Sequence, residues 1–512
     1  MNAAELDSLL REFLAAAPRA VAIEDGAVAF DFLSAKYSIS GEHDRCVLHM
    51  WSSERNAVRR VTAAELKHDV LKLTVQKFGQ AKPTRIEICR DRDRRTPTAK
   101  RSARTAYAAQ LRRQLERMFF GCTIEKLTTE MDLERSFGPI YTRGLLRHGT
   151  TAHAVLGVNT QEDQASIDSA LTFGVLWLDV CRQRSTKCYV EGLKLFVPAG
   201  KSAMVRARLS HLEQHAAKWQ VYEFNQRDDS VEEMDSSDCG NIETRLVHAP
   251  NQDAARERFA EAIQRIHTIV PEADVEIRSS AEIAFRIHGL EIARAQIGVM
   301  AGSFHHGTRV TFGTAADETE LTDASVPKFE FLAQAVAEHR RSEASRANAL
   351  WRMCPERWLE SLVKRDVRCI DDRLDPSFVY AQVPAFSAAD RAMIDLLTCT
   401  RDGRLAIIEL KAEEDIHLPL QGVDYWTRVQ WHHERGEFQK FGYFAGRELS
   451  PEPPLLFLVA PALHVHPATD TLLPYIAPSI DATLVGITED WREGVRVVFR
   501  KRAARARITT AR

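Results

Sequence analysis

The stretch RAMIDLLTCTRDGRLAIIELKAEEDIHLPLQGVDYW, residues 391–426, places charged side chains inside segments that otherwise have the pattern of buried strands. Two apolar runs each carry an acid, Asp395 in the first and Glu409 in the second, and Lys411 follows two residues later. Between the runs, Asp402 and Gly403 are typical of a hairpin turn. The stretch therefore predicts two antiparallel strands with one acid in each.

The spacing of these residues predicts that their side chains converge. Side chains two positions apart in a strand share a face, so Glu409 and Lys411 should point together while Leu410 points the other way. Antiparallel pairing would bring Asp395 close to Glu409, and two adjacent carboxylates repel unless a positive charge lies between them. Because all-oxygen ligation suits Mg²⁺ or Mn²⁺, we expect one of these cations at this point.

The chemistry expected of such a site is phosphodiester hydrolysis. A cation there neutralises the phosphate, polarises the attacking water and helps the leaving oxygen depart. Lys411 could orient the water or stabilise developing charge. Burial beside a cation would also lower the pKa of this lysine.

The segment resembles the catalytic core of the PD-(D/E)xK nuclease superfamily, which has the restriction-endonuclease-like fold. Asp395 matches the first acid of its motif, and Glu409 and Lys411 in "ELK" match the second part. Ile394 replaces the proline that names the motif, which is a frequent variation. The resemblance covers about residues 350–500 and implies a metal-dependent nuclease.

Two further elements of this family have counterparts on either side of the motif. Glu360, in "ERWLESLVKRD", matches the glutamate of the preceding helix, and Gln421 and Tyr425 resemble the Q-x-x-x-Y element of the exonuclease branches. Positions four apart share a helix face. The resemblance implies that Asp395, Glu409 and the Leu410 carbonyl ligate metal, that Glu360 and Gln421 assist, and that Tyr425 contacts substrate.

Each of these residues also has a plainer interpretation. Isolated acids are common on exposed edge strands, and a helix glutamate such as Glu360 is usually solvated. Arg391, just before the Asp395 strand, could hold a substrate phosphate or could be an exposed strand-end charge. A second acid–lysine pattern involves Asp179, Glu191 and Lys194, but Glu191 and Lys194 are three apart and would face opposite sides of one strand unless Gly192 makes a bulge.

The sequence predicts an α/β chain, α+β overall, in three domains. We expect a strand-rich accessory domain at 1–115, a candidate for nucleic-acid contact, and an α/β middle domain of unknown function at 116–345. Residues 346–512 should form the nuclease-like domain, a mixed central sheet flanked by helices. The run 171–180 is interpreted as a strand, and no internal repeat is recognised.

Composition restricts the class of protein further. The net charge is −2, so any nucleic-acid contact must come from local basic patches. Nine cysteines without a CxxC pair, no signal peptide and no long apolar run favour a cytoplasmic protein without disulfides or a structural metal. Two basic clusters are candidates for contact with nucleic acid. The first combines an aromatic residue with arginines: Trp51, Arg55, Arg59 and Arg60. The second is rich in arginine: Arg90, Arg92, Arg94, Arg95, Lys100, Arg101 and Arg104.

The function expected from the sequence is therefore Mg²⁺- or Mn²⁺-dependent hydrolysis of nucleic acid. DNA is favoured over RNA, in repair or in defence against foreign DNA, and the Q-x-x-x-Y element favours the processing of ends. One alternative is a nucleic-acid-binding or assembly module with weak or lost catalysis, and another is an RNA-directed nuclease. The partners expected are nucleic acid and no membrane, with a homo-oligomer or a protein partner left open.

Overall fold

The computed structural model describes residues 2–24, 27–33, 35–42, 45–52, 56–67, 69–77, 83–91, 97–238, 244–299, 306–313, 318–387 and 391–503. These residues form 13 α-helices and four β-sheets, which confirms the predicted mixed α/β class. They group into two compact units, one with residues up to 209 and 217–238, the other with residues 210–216 and 244–503. No helix in these ranges is long and apolar enough to cross a membrane.

The first unit begins with a helix and an antiparallel sheet. The helix α1 (Ala3–Ala15) starts where the Asn2 side chain accepts a hydrogen bond from the Ala4 N–H at 3.0 Å, and it buries Leu6 and Leu10. Seven strands follow in the order β2-β1-β7-β6-β5-β4-β3. Their bounds are β1 Val21–Glu24, β2 Ala27–Asp31, β3 Lys36–Glu42, β4 Arg45–Trp51, β5 Asn56–Lys67, β6 Val70–Lys77 and β7 Thr84–Cys89.

A six-stranded mixed sheet completes this unit, and we name residues 97–209 and 217–234 the first α/β core. Its strands lie in the order β13-β12-β11-β10-β9-β8. Its elements are α2 Pro97–Met118, β8 Thr123–Thr128, β9 Tyr141–His148, β10 Thr151–Val158, α3 Gln164–Asp168, α4 Ala170–Arg184, β11 Tyr189–Pro198, α5 Ala203–Leu209, β12 Lys218–Asn225 and β13 Ser230–Met234.

The interpretation of residues 171–180 as a strand was wrong, because this run lies inside α4. Its side chains are apolar on nearly all sides and most of them are buried. Periodicity alone does not separate a buried helix from a buried strand in so short a run.

The second unit contains a five-stranded antiparallel sheet, β15 to β19, with two helices before it in the chain and two after it. Gly289, with φ of +77°, turns the chain between its second and third strands. The elements are β14 Thr244–Leu246, α6 Gln252–Arg258, α7 Ala260–Ile269, β15 Asp274–Ser279, β16 Glu282–Ile287, β17 Leu290–Val299, β18 His306–Phe312, β19 Thr319–Glu320, α8 Val326–His339 and α9 Ala349–Arg352.

The rest of the second unit is a seven-stranded mixed sheet, and we name residues 355–502 the second α/β core. The strand order is β14-β20-β21-β22-β23-β24-β25. The elements are α10 Pro355–Arg365, β20 Leu374–Ser387, β21 Arg391–Thr400, β22 Leu405–Leu410, α11 Leu418–Glu434, α12 Glu437–Lys440, β23 Leu455–Pro461, α13 Ala468–Leu472, β24 Asp481–Ile487 and β25 Val497–Arg502.

Helices cover both faces of the sheet of the second core. On one face, Ile408 and Leu410 of β22 pack in a cluster with Trp358 of α10. On the other face, Ile407 packs in a cluster with Val423 of α11. Glu409 lies between Ile408 and Leu410 in the strand, so strand alternation puts its side chain on the face covered by α11.

Candidate active site

The two acids of the motif lie side by side on neighbouring strands. In the antiparallel pair β21–β22, Leu396 lies opposite Ile408, so Asp395 and Glu409 are one step further along. The Leu410 N–H donates a hydrogen bond to Asp395 Oδ2 at 3.0 Å. This backbone contact holds the Asp395 carboxylate at the end of β22, as the predicted strand pairing requires.

Glu409 is a buried carboxylate with an unsatisfied oxygen. Its side chain is 1 % exposed, and its Oε2 has no hydrogen-bond partner among the described residues. Burial and the neighbouring Asp395 raise the pKa of Glu409 well above its usual value, although Lys411 opposes this shift. An orphaned buried oxygen beside a second carboxylate fits the oxygen ligands that Mg²⁺ and Mn²⁺ prefer.

Lys411 shares the face of Glu409, as the strand alternation predicts. Its Nζ lies 3.2 Å from Glu409 Oε1 and 3.5 Å from Asp415 Oδ2. Burial acts to lower the pKa of Lys411, but Glu409 and Asp415 outweigh it and the pKa is raised. The expected lowering of this pKa assumed a cation beside the amine and did not include Asp415, so it stays a prediction for the metal-bound protein.

Glu360 reaches the same place from α10. Its Oε2 accepts a hydrogen bond from Gln382 Nε2 at 2.6 Å and another from Arg357 Nη1 at 3.0 Å. The side chain is nearly buried, and burial together with Asp395 raises the pKa of Glu360 to about 7 against the effect of Arg357. The solvated interpretation of this glutamate is therefore excluded.

Gln382 links Glu360 to Asp395, and its role was not predicted from the sequence. Its single amide nitrogen donates to Glu360 Oε2 and, at 3.1 Å, to Asp395 Oδ1. Gln382 lies opposite Asp395, between the pairs Ala381–Leu396 and Val383–Ile394, and its φ is +52°. A positive φ is costly for a residue with a side chain, so the surrounding structure holds Gln382 in this conformation. No local pattern in the sequence marks this position.

Gln421 and Tyr425 lie one turn apart on α11. Gln421 Nε2 donates to the Tyr425 hydroxyl at 3.1 Å, and burial and Glu409 raise the pKa of Tyr425. The helix lies close to the sheet because Gly422 faces Leu456 and Leu458, where a Cβ would be 2.4 Å from Leu458 Cδ2. The two side chains thus lie on the same face of the sheet as Glu409.

The remaining predicted residues differ in what the structure says of them. Arg391 is the first residue of β21, but its side chain lies outside the described part of the chain. The Leu410 backbone borders the site through its N–H, and metal ligation by its carbonyl stays a prediction. The roles assigned to Gln421 and Tyr425 also stay predictions.

A basic cleft of about 310 Å³ opens beside Glu360. Arg365 pairs with Asp274 at 3.0 Å, and Arg286 pairs with Glu276 at 2.7 Å. Two other cations, Arg256 and Lys364, have no ion pair with any described residue. The cleft carries more basic than acidic side chains: Arg256, Arg286, Arg357, Lys364 and Arg365 against Asp274, Glu276 and Glu360.

The basic residues near the N-terminus are largely engaged within their own unit. Arg59 pairs with the buried Glu24 at 2.8 Å, and Arg104 pairs with Glu162 at 2.8 Å. Arg90 lies 3.0 Å from Asp69. Of the other predicted contacts, Arg55, Arg92, Arg94 and Arg95 lie outside the described residues.

No protein-family model matches the chain, and no curated protein matches it either. Within the described ranges, no group of three or more His, Cys, Asp and Glu side chains has an arrangement that could hold a metal ion. The candidate site in the described residues is therefore the carboxylate pair Asp395 and Glu409. Gln382 links Asp395 to a third acid, Glu360.

Proposed function

We propose that the second α/β core is a restriction-endonuclease-like nuclease that hydrolyses phosphodiester bonds with Mg²⁺ or Mn²⁺. Asp395 and Glu409 would ligate the cation, and DNA is the favoured substrate. The observation that carries the proposal is the buried Glu409 Oε2, which has no partner among the described residues and lies beside a second carboxylate. Such a group is costly to bury without a partner, and a divalent cation would compensate both acids.

The protein's own residues support this chemistry in distinct ways. When bound, a divalent cation would supply charge neutralisation at the phosphate and an activated water. Lys411, held by Glu409 and Asp415, keeps a positive charge next to the place where negative charge would develop. The raised pKa of Glu360, about 7, suits a group that exchanges a proton near neutral pH.

The cleft beside Glu360 supports a polyanionic substrate. Phosphate groups are bound mainly by lysine and arginine side chains, and this cleft supplies Arg256 and Lys364 without competing ion pairs in the described residues. Glu360 lines the cleft and is also hydrogen-bonded through Gln382 to Asp395. A strand lying in the cleft would therefore pass close to the acids.

The proposal is tested by cleavage assays on four substrates: linear duplex DNA, circular duplex DNA, single-stranded DNA and RNA. Wild-type protein, Asp395→Ala and Lys411→Ala are each incubated with Mg²⁺ and with EDTA. We expect cleavage by the wild type in Mg²⁺ alone, and its loss in both variants. The set of substrates that is cut separates DNA from RNA and end processing from internal cutting.

Two outcomes contradict the proposal. Equal cleavage by all three proteins would show that the activity comes from other residues. Absence of cleavage by folded wild-type protein on every substrate would favour the binding or assembly module, and nucleic-acid binding measured by fluorescence anisotropy would then identify that function.

A further inference from the structure

The first and second α/β cores have the same topology, although the sequence shows no repeat. In both, a helix precedes three antiparallel strands, a helix crosses over to a parallel strand, and a short helix leads to a further parallel strand and an antiparallel one. The sense of all five strand pairings agrees between the cores. The expectation that the chain lacks an internal repeat was therefore wrong at the level of topology.

A helix glycine sets the correspondence between individual residues. Gly174 of α4 faces Leu193 and Leu195 of the next strand, just as Gly422 of α11 faces Leu456 and Leu458. The two glycines also occupy the same place in their helices, the fifth residue from the start. A Cβ would come within 2.7 Å of Leu193 or 2.4 Å of Leu458, so both sites need glycine for close packing.

Strand pairing extends this correspondence to the acids. Leu195 lies opposite Leu156, and Leu458 lies opposite Glu409, so Leu156 occupies the place of Glu409. On the neighbouring antiparallel strand, Arg143 lies opposite Leu156, and in the second core Asp395 lies across from Glu409. Arg143 therefore occupies the place of Asp395. The counterparts of five site residues contain no acid and no lysine: Arg143, Leu156, Val158, Phe173 and Trp177 stand where Asp395, Glu409, Lys411, Gln421 and Tyr425 stand in the second core.

Arg143 is fixed in this position by the protein alone. Its side chain is almost fully buried, and it donates to the Glu130 carbonyl oxygen. Its guanidinium carbon lies 4.5 Å from the ring centre of Phe137 and 5.5 Å from that of Trp177. The ring faces attract a cation, and Trp177 is itself held by a hydrogen bond from its Nε1 to the Gly144 carbonyl oxygen at 2.8 Å.

We infer that the first α/β core is a second copy of the nuclease-like core in which the guanidinium of Arg143 has replaced the divalent cation and its ligands. The inference rests on the proposed function, because that proposal identifies the second core as a nuclease. The matching of residues between the two cores rests on strand pairing and helix position alone. The positions that match Asp395, Glu409 and Lys411 carry no carboxylate, and the nearby acids Asp132 and Glu130 interact with the Arg143 cation itself. Among the described residues the two cores therefore supply one catalytic centre, and cutting both strands of a duplex requires a second chain or a second binding event.

The test is hydrogen exchange of the full chain, measured by mass spectrometry with and without Mn²⁺. Wild-type protein is compared with the double variant Asp395→Asn, Glu409→Gln, which keeps the size of both side chains. We expect Mn²⁺ to slow exchange in peptides covering 391–411 of the wild type only. Peptides covering 141–158 should exchange at the same rate with and without Mn²⁺ in the double variant.

A third protein tests the role of the guanidinium directly. Arg143→Met should speed exchange in peptides covering 141–158, and Mn²⁺ should not restore the rate, while protection of 391–411 is kept. The inference is overturned if Mn²⁺ slows exchange of 141–158 in the double variant, since that result shows a metal site in the first core. If Mn²⁺ protects neither core of the wild type, the proposed nuclease site fails while the metal-free assignment of the first core stands.

Discussion

The first and second α/β cores place very different side chains on the same frame. Where the second core brings Asp395 and Glu409 together, the first has Arg143 and Leu156 at the matching strand positions. The backbone fixes where side chains meet, and only the side chains decide what can happen there. Topology alone would assign the same function to both cores, but the side chains at the matching positions do not support the same function in the first core.

The two cores also differ in how their buried charges are balanced. The Arg143 cation lies against aromatic rings and a carbonyl oxygen within the first core. In the second core, burial and the nearby Asp395 carboxylate raise the pKa values of Glu360 and Glu409. The second core is therefore arranged to gain stability from a ligand that brings positive charge.

The largest effect should come from substitutions at one pair of matched positions, Glu409 in the second core and Leu156 in the first. We expect Glu409→Gln to lower the rate of Mg²⁺-dependent cleavage by at least about 1000-fold, equivalent to about 4 kcal/mol, because the amide does not compensate the cation's charge. The control is Leu156→Met at the corresponding position of the first core, a swap of similar volume that should leave the cleavage rate unchanged. Equal losses in the two variants would remove the functional distinction between the cores.

A second effect is a dependence of stability on pH that belongs to the second core. Unfolded glutamate binds its proton up to the ordinary value of 4.5, and Glu360 in the folded chain binds it up to about 7. Between these values Glu360 keeps its proton only in the folded state, so this group lowers the stability of the metal-free protein as the pH rises, by on the order of 3 kcal/mol. Thermal unfolding in EDTA measures the loss, and Glu360→Gln should weaken the pH dependence.

The sign of this pH effect is itself a sharp test. Because Glu409 also has a raised pKa, it contributes in the same direction as Glu360. Between about pH 5 and about pH 7 in EDTA, the stability of the wild type should fall relative to that of Glu360→Gln, and a rise relative to this variant would contradict the arrangement of buried acids described here. Added Mn²⁺ should reduce the loss, since ligation favours the deprotonated carboxylates.

The smallest effect should come from Gln382, which touches two acids but is not proposed as a ligand. We expect Gln382→Ala to weaken Mn²⁺ binding or cleavage by about 10- to 100-fold, because Asp395 and Glu360 lose the amide that orients them. Thr128 is the matched control, since it lies opposite Arg143 as Gln382 lies opposite Asp395. Isothermal titration with Mn²⁺ should show no change for Thr128→Ala, and a change equal to that of Gln382→Ala would contradict the assigned role.

The sequence predicts the second core well because its signals are local. Strand alternation places Glu409 and Lys411 on one face, and the structure shows them 3.2 Å apart. The contributions of Gln382 and Asp415 were not predicted, because the first depends on pairing across strands and the second lies in a loop that returns to Lys411. The repeat was missed because equal backbone positions carry unrelated side chains, such as Arg143 and Asp395.

The most direct test of the central claim is the position of Mn²⁺ in crystals of the full chain, located by anomalous scattering. We expect a peak bound by both Asp395 and Glu409, and its loss in Glu409→Gln. A structure in which Mn²⁺ contacts neither carboxylate, or in which a peak lies beside Arg143 in the first core, would contradict it.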